Sequence, residues 1–485
     1  MNKNTLLIIC LLSVFNISYA GYKEDIGYTK LADELGSDMP TGRGVSVTQT
    51  ESMSGKTPAY MPDINKPEFK YKVITDQSSP LPLGPYSGHA SSVARSFFGK
   101  NAMANGITHI NCYSANGWLT GDYLKANKRS EQPAAVNDRI ANHSWIGGIK
   151  EENIVLNILK RIDWVIERDE FIQAVGIKNS ATPNSPMLSA AFNVIAVGKT
   201  DGNNGRGSKL LNQIYTAGRP RPHIVTPKRT SSGSTPVVAS AIALLVETAQ
   251  KNPGLSNNPD KSFTTNRNNK KIYNAGRAEV IKAVLMAGAD RATNNSTKLK
   301  DEILNDIVDY RIDPRHRSDN GLDIRYGAGQ LNIYNSYKIL VAGEQNCAQD
   351  NSKNRGAISN QGFDYRPAFG NATDNTLSTY HFTTGKSPAR LAASLVWNAN
   401  VDKGTVISFP GKATVYNLDL TLYRHSDQGK TLILQSASIR DNTENLYVTL
   451  EANSDYTIQV SARNEKQNFI WDYAIAWHIS KLAME

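Results

Sequence analysis

The 485-residue sequence contains little cysteine, no internal repeat and no low-complexity tract. Its three cysteines are too few for a disulfide framework, and only Cys112 and Cys347 follow the first twenty residues. These two residues are compatible with one disulfide bond or with two free thiols. No nucleic-acid-binding motif occurs, and beyond the first twenty residues no stretch is long and apolar enough to span a bilayer. We therefore expect no nucleic-acid partner and no membrane span.

The first twenty residues have the pattern of a secretory signal peptide. Lys3 supplies a positive start, Leu6–Phe15 is apolar but too short to cross a membrane, and Ser18-Tyr19-Ala20 ends in small residues. This pattern predicts cleavage after Ala20. We therefore expect the protein to be secreted or periplasmic.

The remaining composition is that of an ordinary globular protein, with 40% apolar and 20% charged residues. The length is sufficient for two folded domains. The net charge is +10, yet residues 345–485 carry 13 basic and 13 acidic residues, so the excess lies in the N-terminal part. Such an excess is consistent with simple solubility, or with a preference for acidic substrates or surfaces.

Short apolar runs alternate with helical patterns over residues 44–345, as expected for strands that are covered on both faces. The pattern predicts an α/β domain over residues 21–345, with a parallel sheet, helices on both faces and a polar surface insertion at 255–271. The predicted strands are Val45–Thr50, Ile107–Ser114, Ile140–Trp145, Phe171–Ile177, Asn193–Val197 and His223–Thr226. The predicted helices are Glu151–Arg168, Pro236–Thr248 and Ala278–Ala289.

The C-terminal part has a different pattern. Residues 346–362 are polar and are interpreted as a linker, and from 363 onward the apolar residues recur with a period of two. Asn, Asp and Gly separate these runs, and no long helical pattern interrupts them. Residues 363–485 are therefore predicted to form an all-β sandwich of the jelly-roll kind.

Candidate catalytic groups were sought at strand carboxyl ends and helix starts, where α/β folds place them. Ser232 opens an apolar helix, Glu51 ends a buried strand, and His89 lies at a helix start. A buried carboxylate needs a partner, and a histidine is the obvious one. A hydroxyl, an imidazole and a carboxylate are the groups that nucleophilic acyl transfer requires. Taken singly, these residues are also compatible with a helix cap, a surface histidine and a solvated loop acid.

Several segments resemble motifs of the subtilisin-like serine peptidases. Thr230–Pro236 resembles the family's Gly-Thr-Ser-x-Ala-x-Pro motif, and Gly88–Ala94 resembles its His-Gly-Thr-His-Val-Ala motif. Glu51-Ser52 stands where the family has an aspartate after a strand, and Lys178-Asn179 stands where it has Gly-Asn. The following segments carry the same likeness: Ser144–Gly148, resembling Ser-Leu-Gly-Gly; Phe192–Gly198, resembling Val-Ile-Ala-Val-Gly; and Tyr326–Gly329, resembling the closing segment.

The resemblance implies a role for each matched residue. Ser232 would be the nucleophile, His89 the base and Glu51 the carboxylate that orients it, while Asn179 and the Ser232 amide would bind the oxyanion. The segment containing Ser144, Trp145 and Gly147 would bind the backbone of a protein or peptide substrate. The chemistry would need no cofactor, and whether a structural Ca²⁺ binds stays open.

The sandwich resembles the pre-peptidase C-terminal modules of exported bacterial proteases, on Leu418–Tyr423 and Asp455–Val460. Such a module would contact a surface or the substrate. Because all the catalytic motifs precede Gln345, residues 21–345 are expected to fold and act alone. The departures at Glu51, Lys178 and Thr230 leave an alternative, a catalytically impaired binding protein of the same fold. Only about thirty residues separate Ala20 from Glu51, too few for a folding pro-domain.

Overall fold

The computed structural model describes residues 21–53, 59–78, 85–293, 295–296, 307–348, 356–370, 372, 375–463 and 468–482. The predicted signal peptide, residues 1–20, lies outside the described residues, as do residues 349–355 of the predicted linker.

A seven-stranded parallel sheet forms the centre of the N-terminal part, in the order β2-β3-β1-β4-β5-β6-β7. Its strands are β1 Val47–Glu51, β2 Val73–Asp76, β3 His109–Ser114, β4 Ile140–His143, β5 Ile172–Gly176, β6 Ile195–Lys199 and β7 Ile224–Thr226. Every residue of β1, β4, β5 and β6 is buried, so both faces of the sheet are covered. The predicted parallel α/β architecture is confirmed.

Eight helices accompany the strands in the part of the chain that the structure describes. They are α1 Tyr22–Asp25, α2 Tyr28–Leu35, α3 Gly88–Phe97, α4 Glu152–Asp169, α5 Ser231–Lys251, α6 Ala278–Gly288, α7 Ile307–Ile312 and α8 Ile333–Val341. Helix α5 crosses β4 to β7 and is buried over most of its length. Of the described helices it alone has the length and hydropathy of a membrane span, with 89% of that apolar window buried inside the protein.

The predicted insertion at 255–271 lies between α5 and α6. Part of it forms an antiparallel hairpin of β8, Phe263–Thr265, and β9, Lys271–Tyr273. Both cysteines are free thiols: Cys112 is buried in β3, and Cys347 is half-buried near the start of the C-terminal part.

The C-terminal part is a sandwich of two four-stranded antiparallel sheets, in the orders β10-β19-β12-β17 and β11-β18-β15-β16. Eight strands paired in these orders form a jelly roll, as predicted. The strands are β10 Gln361–Phe369, β11 Leu377–Thr383, β12 Ala389–Val396, β13 Asn400–Val401, β14 Ala413–Thr414, β15 Leu418–Ser426, β16 Gly429–Ser436, β17 Thr443–Leu450, β18 Asp455–Ala462 and β19 Trp471–Lys481. The short strands β13 and β14 pair separately.

The two parts share a hydrophobic core. Every residue of α6 is buried, and the helix packs on the outer face of the sheet that contains β12 and β19. Alternate residues of β19 therefore serve two cores: Ala474 and Ala476 face the α/β part, whereas Tyr473 and Ile475 face the sandwich interior. The sandwich thus covers a helix that would otherwise expose an apolar face.

This packing corrects the prediction of a linker at 346–362. Strand β10 begins inside that range, and Glu344 bridges to Phe363. Ala348 and Ala357 bridge to β11, so the described ends of the segment are paired with the sandwich. At its described ends, the polar segment is therefore attached to the sandwich.

Candidate active site

The predicted site residues converge on the edge of the sheet where the parallel strands end. Glu51 is the last residue of β1, and Ser144 directly follows β4. Thr50 pairs with His143, so Glu51 and Ser144 lie side by side on adjacent strands. At the carboxyl edge of β1 and β4, the buried Glu51 therefore lies next to the chain segment that leaves the sheet at Ser144.

Helix α5 begins at this same edge. At the end of β5, a Cβ on Gly176 would lie 3.0 Å from Thr235 Oγ1, so glycine permits the close approach of the helix. The Ser231 amide donates to Asn179 Oδ1 at 2.6 Å, and the Ser231 hydroxyl donates to the Ile177 carbonyl at a short distance. The first turn of α5 is thereby attached to the loop that follows β5.

His89 and Glu51 form a hydrogen-bonded pair. Nδ1 of His89 lies 2.9 Å from Oε2 of Glu51, whose side chain is 2% exposed, while that of His89 is 47% exposed. Ser87 caps α3 by accepting the Ala90 amide, which fixes the turn that carries His89. The second Glu51 oxygen accepts from Gln49 Nε2 at 3.3 Å. The carboxylate is therefore held between a strand neighbour and the imidazole.

The electrostatics of this pair follow from burial and from the hydrogen bond. Burial raises the pKa of Glu51, and the hydrogen bond to His89 opposes that rise. The hydrogen bond to Glu51 raises the pKa of His89, partly offset by burial. An ionised Glu51 places the imidazole proton on Nδ1, which leaves Nε2 as the nitrogen that can accept a proton.

Ser232 lies in the first turn of α5 and is half-buried. Its hydroxyl donates to the Ser144 carbonyl at 3.0 Å, and the Ser144 hydroxyl donates to the Ser232 carbonyl at 3.2 Å. These two bonds join the nucleophile candidate to the segment after β4. Among the described residues, the Ser232 hydroxyl has no hydrogen bond to His89 in this arrangement.

The amides of this helix start are not all satisfied. Thr230 caps the helix by accepting the Gly233 amide at 3.0 Å, and Asn179 accepts that of Ser231. The Ser232 amide has no acceptor among the residues that the structure describes. An unpaired N–H at a helix N-terminus is a ready donor to an anion. Asn179, exposed and anchored through Oδ1, keeps the two N–H donors of its Nδ2 for the same purpose.

The predicted substrate-binding segment divides into a buried and an exposed part. Trp145 is 7% exposed and belongs to the core, with its ring beneath Gly147, so its side chain does not face a ligand. Ile146 points outward, and with Gly147 it lines a cavity of about 440 Å³. The other lining residues are Gly148, Ile149, Val155, Lys178, Asn184, Ser185, Pro186, Met187 and Lys209.

Some contributors were not identified from the sequence. Gln49 donates to both Glu51 and the Ala90 carbonyl, so it links β1 to α3. Its place two residues before Glu51, on the same face of the strand, was the available signal. Lys209 reaches the cavity from a distant loop that carries no motif. No three His, Cys, Asp or Glu side chains within the described ranges form a group suited to a metal ion.

With this geometry in view, the protein can be compared with known ones. No protein-family model matches the sequence, and no curated protein does. A lanthipeptide protease structure is similar over 65% of this chain and 93% of its own, with 13% identity and a TM-score of 0.38. The epidermin leader peptide processing serine protease of Staphylococcus aureus matches over 66% and 80%, with 13% identity and a TM-score of 0.36.

The sandwich has a separate neighbour, the pre-peptidase C-terminal domain of a Bacillus anthracis collagenase. It covers 25% of this chain and 92% of its own, with 12% identity and a TM-score of 0.18. These neighbours are subtilisin-like protease domains and a pre-peptidase module, the two classes that the motifs resemble. Because the scores and identities are low, function has to be inferred from the site itself.

Proposed function

We propose that the protein is an exported serine endopeptidase, with Ser232 as nucleophile, His89 as general base and Glu51 as the orienting carboxylate. The observation that carries the proposal is the 2.9 Å contact between His89 and the buried Glu51, at the sheet edge where the Ser232 amide is open. A buried carboxylate bound to a half-exposed imidazole orients a base. An open helix-start amide supplies an oxyanion donor next to the hydroxyl.

The reaction follows from these positions. Ser232 Oγ leaves the Ser144 carbonyl by rotation about χ1 and attacks the peptide carbonyl, while His89 Nε2 takes its proton. The Ser232 amide and the Asn179 Nδ2 group donate to the carbonyl oxygen as it becomes negative. The C–N bond then breaks, His89 returns the proton to the leaving amine, and an acyl-enzyme remains. Water, deprotonated by His89, releases the acid and restores Ser232.

Glu51 contributes by holding the imidazole and stabilising the imidazolium. Because Nδ1 donates its proton to the carboxylate, the imidazole stays in the tautomer whose Nε2 can accept a proton. The charge that develops on the ring in the transition state lies 2.9 Å from Oε2 of Glu51. The peptide would lie along the exposed Ile146–Gly147 segment, whose backbone leaves the sheet beside Ser144.

One observation favours the second candidate, an impaired binding protein of the same fold. The Ser232 hydroxyl is already bonded to the Ser144 carbonyl, and that bond competes with the one that His89 must form. In free enzymes such catalytic bonds are often long and tighten only with substrate. The two candidates therefore differ in whether Ser232 is reactive.

A fluorophosphonate probe distinguishes them. On residues 21–485, we expect labelling of the unmodified chain and none of Ser232→Ala. Ser234→Ala is the matched control, because its buried hydroxyl has no partner among the described residues and lies two positions away. Equal labelling of Ser232→Ala would remove Ser232 from the mechanism. Absence of labelling in a folded unmodified chain would support the binding protein.

A further inference from the structure

The cavity beside Ser232 combines apolar walls with positive charge. Its apolar lining includes Ile146, Val155 and Met187, and its charged lining consists of Lys178 and Lys209. Among the described residues, no carboxylate lines it. A cavity of about 440 Å³ is large enough for the side chain of one substrate residue.

The position of the cavity relates it to the scissile bond. Lys178 immediately precedes Asn179, the side chain proposed to bind the oxyanion, and Gly147 lies three residues beyond Ser144. With a substrate carbonyl between Asn179 and the Ser232 amide, as proposed above, this opening is available to the side chain of the attacked residue, because Lys178 of its lining neighbours Asn179 in the chain. The cavity is therefore suited to the residue on the acyl side of the bond.

Backbone hydrogen bonds hold the two lysines on the same cavity. The Gly205 amide donates to the Lys178 carbonyl at 2.9 Å, and the Ser185 amide donates to the Gly207 carbonyl at 3.0 Å. These bonds join the loop after β5 to the loop that carries Lys209. Both cations thus belong to a paired loop structure.

Further positive charge precedes the nucleophile in the chain. Lys228 and Arg229 directly precede Thr230, and the Lys228 ammonium lies 3.2 Å from the centre of the Tyr22 ring. The carboxylates at the ends of the neighbouring strands are engaged by other groups: Glu51 by His89 and Gln49, Asp76 by the Tyr60 hydroxyl, and Asp201 by Lys199. Lys228 and Arg229 therefore add positive charge next to the start of α5.

We propose that the substrate is an acidic peptide, with a glutamate or aspartate side chain in this cavity at the residue whose carbonyl is attacked. The carboxylate binds Lys178 and Lys209, and its methylene groups pack on the apolar walls. The proposal rests on the proposed peptidase function. The lysines are partly or fully exposed, so the pairing is modest in strength, and we expect about a tenfold preference for glutamate over glutamine.

Fluorogenic peptides that differ only at this residue, as Glu, Gln, Leu or Lys, test the proposal on residues 21–485. We expect kcat/KM to favour Glu over Gln about tenfold at low salt, and less so at high salt. Lys178→Met/Lys209→Met should abolish that ratio. The matched control, Lys386→Met/Lys403→Met, removes two exposed charges from the sandwich and should retain it.

Ser232-dependent cleavage without a Glu preference would overturn the acidic-substrate proposal and leave the peptidase intact. A preference that survives in the Lys178/Lys209 variant would also overturn it. If no peptide is cleaved, the peptidase proposal fails. Peptides of the same four sequences, labelled with fluorescein, then test the cavity through binding measured by fluorescence anisotropy. Equal affinity for the Glu and Gln peptides would then overturn the acidic preference as well.

Discussion

The proposed role of Glu51 as the orienting acid is supported by its local surroundings. Strand β1 is buried to its last residue, so the Glu51 side chain extends from a packed backbone. Its Oε2 atom lies at hydrogen-bond distance, 2.9 Å, from Nδ1 of His89. Gln49 binds the other carboxylate oxygen and also the carbonyl of the helix that carries His89. The contacts to His89 and Gln49 thus fit a side chain of the length of glutamate at position 51.

Substitution of Glu51 is expected to reduce kcat and leave KM nearly unchanged, because the carboxylate acts mainly in the transition state. Glu51→Gln removes the charge and can select the wrong imidazole tautomer, at a cost of about four orders of magnitude in kcat. Glu51→Asp keeps the charge but falls short of His89 by about a methylene, so its loss should be smaller. Steady-state kinetics on one peptide decide the order, and a near-normal kcat for Glu51→Gln would exclude Glu51 from the site.

The pH profile gives a second measurement of the same pair. The base must be neutral, so activity is absent below the pKa of His89 and appears above it. The hydrogen bond to Glu51 raises that pKa above its ordinary value of 6.5, so the acid limb of kcat/KM should lie above pH 6.5. In Glu51→Gln the residual activity should show the limb at lower pH. An unchanged limb would mean that Glu51 does not control the ionisation of His89.

At this scale, the candidate residues and the pairing of His89 with Glu51 could be predicted, and the other contacts could not. Glu51, His89, Ser232 and Asn179 were found because side-chain type and order in the chain mark them. The bond from Ser232 to the Ser144 carbonyl had no signal, because a carbonyl direction depends on backbone conformation and not on the side chain. The burial of the Trp145 side chain also depends on the backbone conformation after β4, which the sequence pattern does not specify.

Helix α5 positions Ser232, the proposed nucleophile, in its first turn. Its cap differs from the related motif, with Thr230 at the N-cap position, yet the threonine hydroxyl accepts the Gly233 amide. Asn179 accepts the Ser231 amide, and the Ser232 amide has no acceptor among the described residues. The departure at Thr230 is therefore compatible with an oxyanion donor in place.

Thr230→Ala should lower both the stability and the activity of the protein. Loss of an N-cap costs about 1 kcal/mol in free energy of unfolding. Without the threonine hydroxyl the Gly233 amide keeps only the Thr230 carbonyl as acceptor, which should loosen the turn that carries its neighbour Ser232. Asn332→Ala is the matched control, since Asn332 caps α8 by accepting the Asn335 amide. We expect similar losses in urea denaturation, with reduced kcat in Thr230→Ala alone. Equal kcat in both variants would contradict the role assigned to the α5 cap.

Buried strands could be predicted, including β7 at one end of the sheet order, and exposed strands could not. The six strands predicted in the parallel sheet all form, because apolar runs mark strands buried on both faces. Strand β2 lies at the sheet edge with half its residues exposed, and the strands of the hairpin β8–β9 have three residues each and are mostly exposed or half-buried. Neither element has the buried apolar run that marks the other strands. Their strand conformation therefore depends on pairing with a neighbouring strand, which the composition does not reveal.

For the whole molecule, the boundary between the predicted domains is a packed interface. Beside the shared apolar core, Arg277 pairs with Glu170 and Glu279 of the α/β part and with Asp472 of β19. The Tyr365 hydroxyl donates to Asp472 at 2.5 Å. Sequence periodicity distinguished two kinds of structure correctly, but it carries no information on whether two apolar faces meet.

The packing of α6 against the sandwich leads to a different expectation from the sequence, namely that residues 21–345 do not suffice. A chain that ends at Glu344 exposes α6, and we expect it to aggregate or to lack a cooperative unfolding transition. In the full chain, Ala476→Asp places an unpaired charge at a fully buried position, at a cost of roughly 3 kcal/mol or more. Melting should show one transition, lowered for both parts, with Ser387→Asp on the exposed surface as the unaffected control. A soluble, folded and active 21–344 chain would contradict this expectation.

The position of β19 bears on the timing of assembly during synthesis. This strand lies between β10 and β12 in its sheet and supplies the alanines that contact α6, yet it is the last strand of the described chain. A ribosome releases Glu51, His89 and Ser232 long before it releases Trp471. The covered state of α6 is thus reached only after Trp471–Lys481 has left the ribosome. Until then the helix keeps an exposed apolar face, so the residues of the proposed site are made well before the strand that completes the packing of the α/β part.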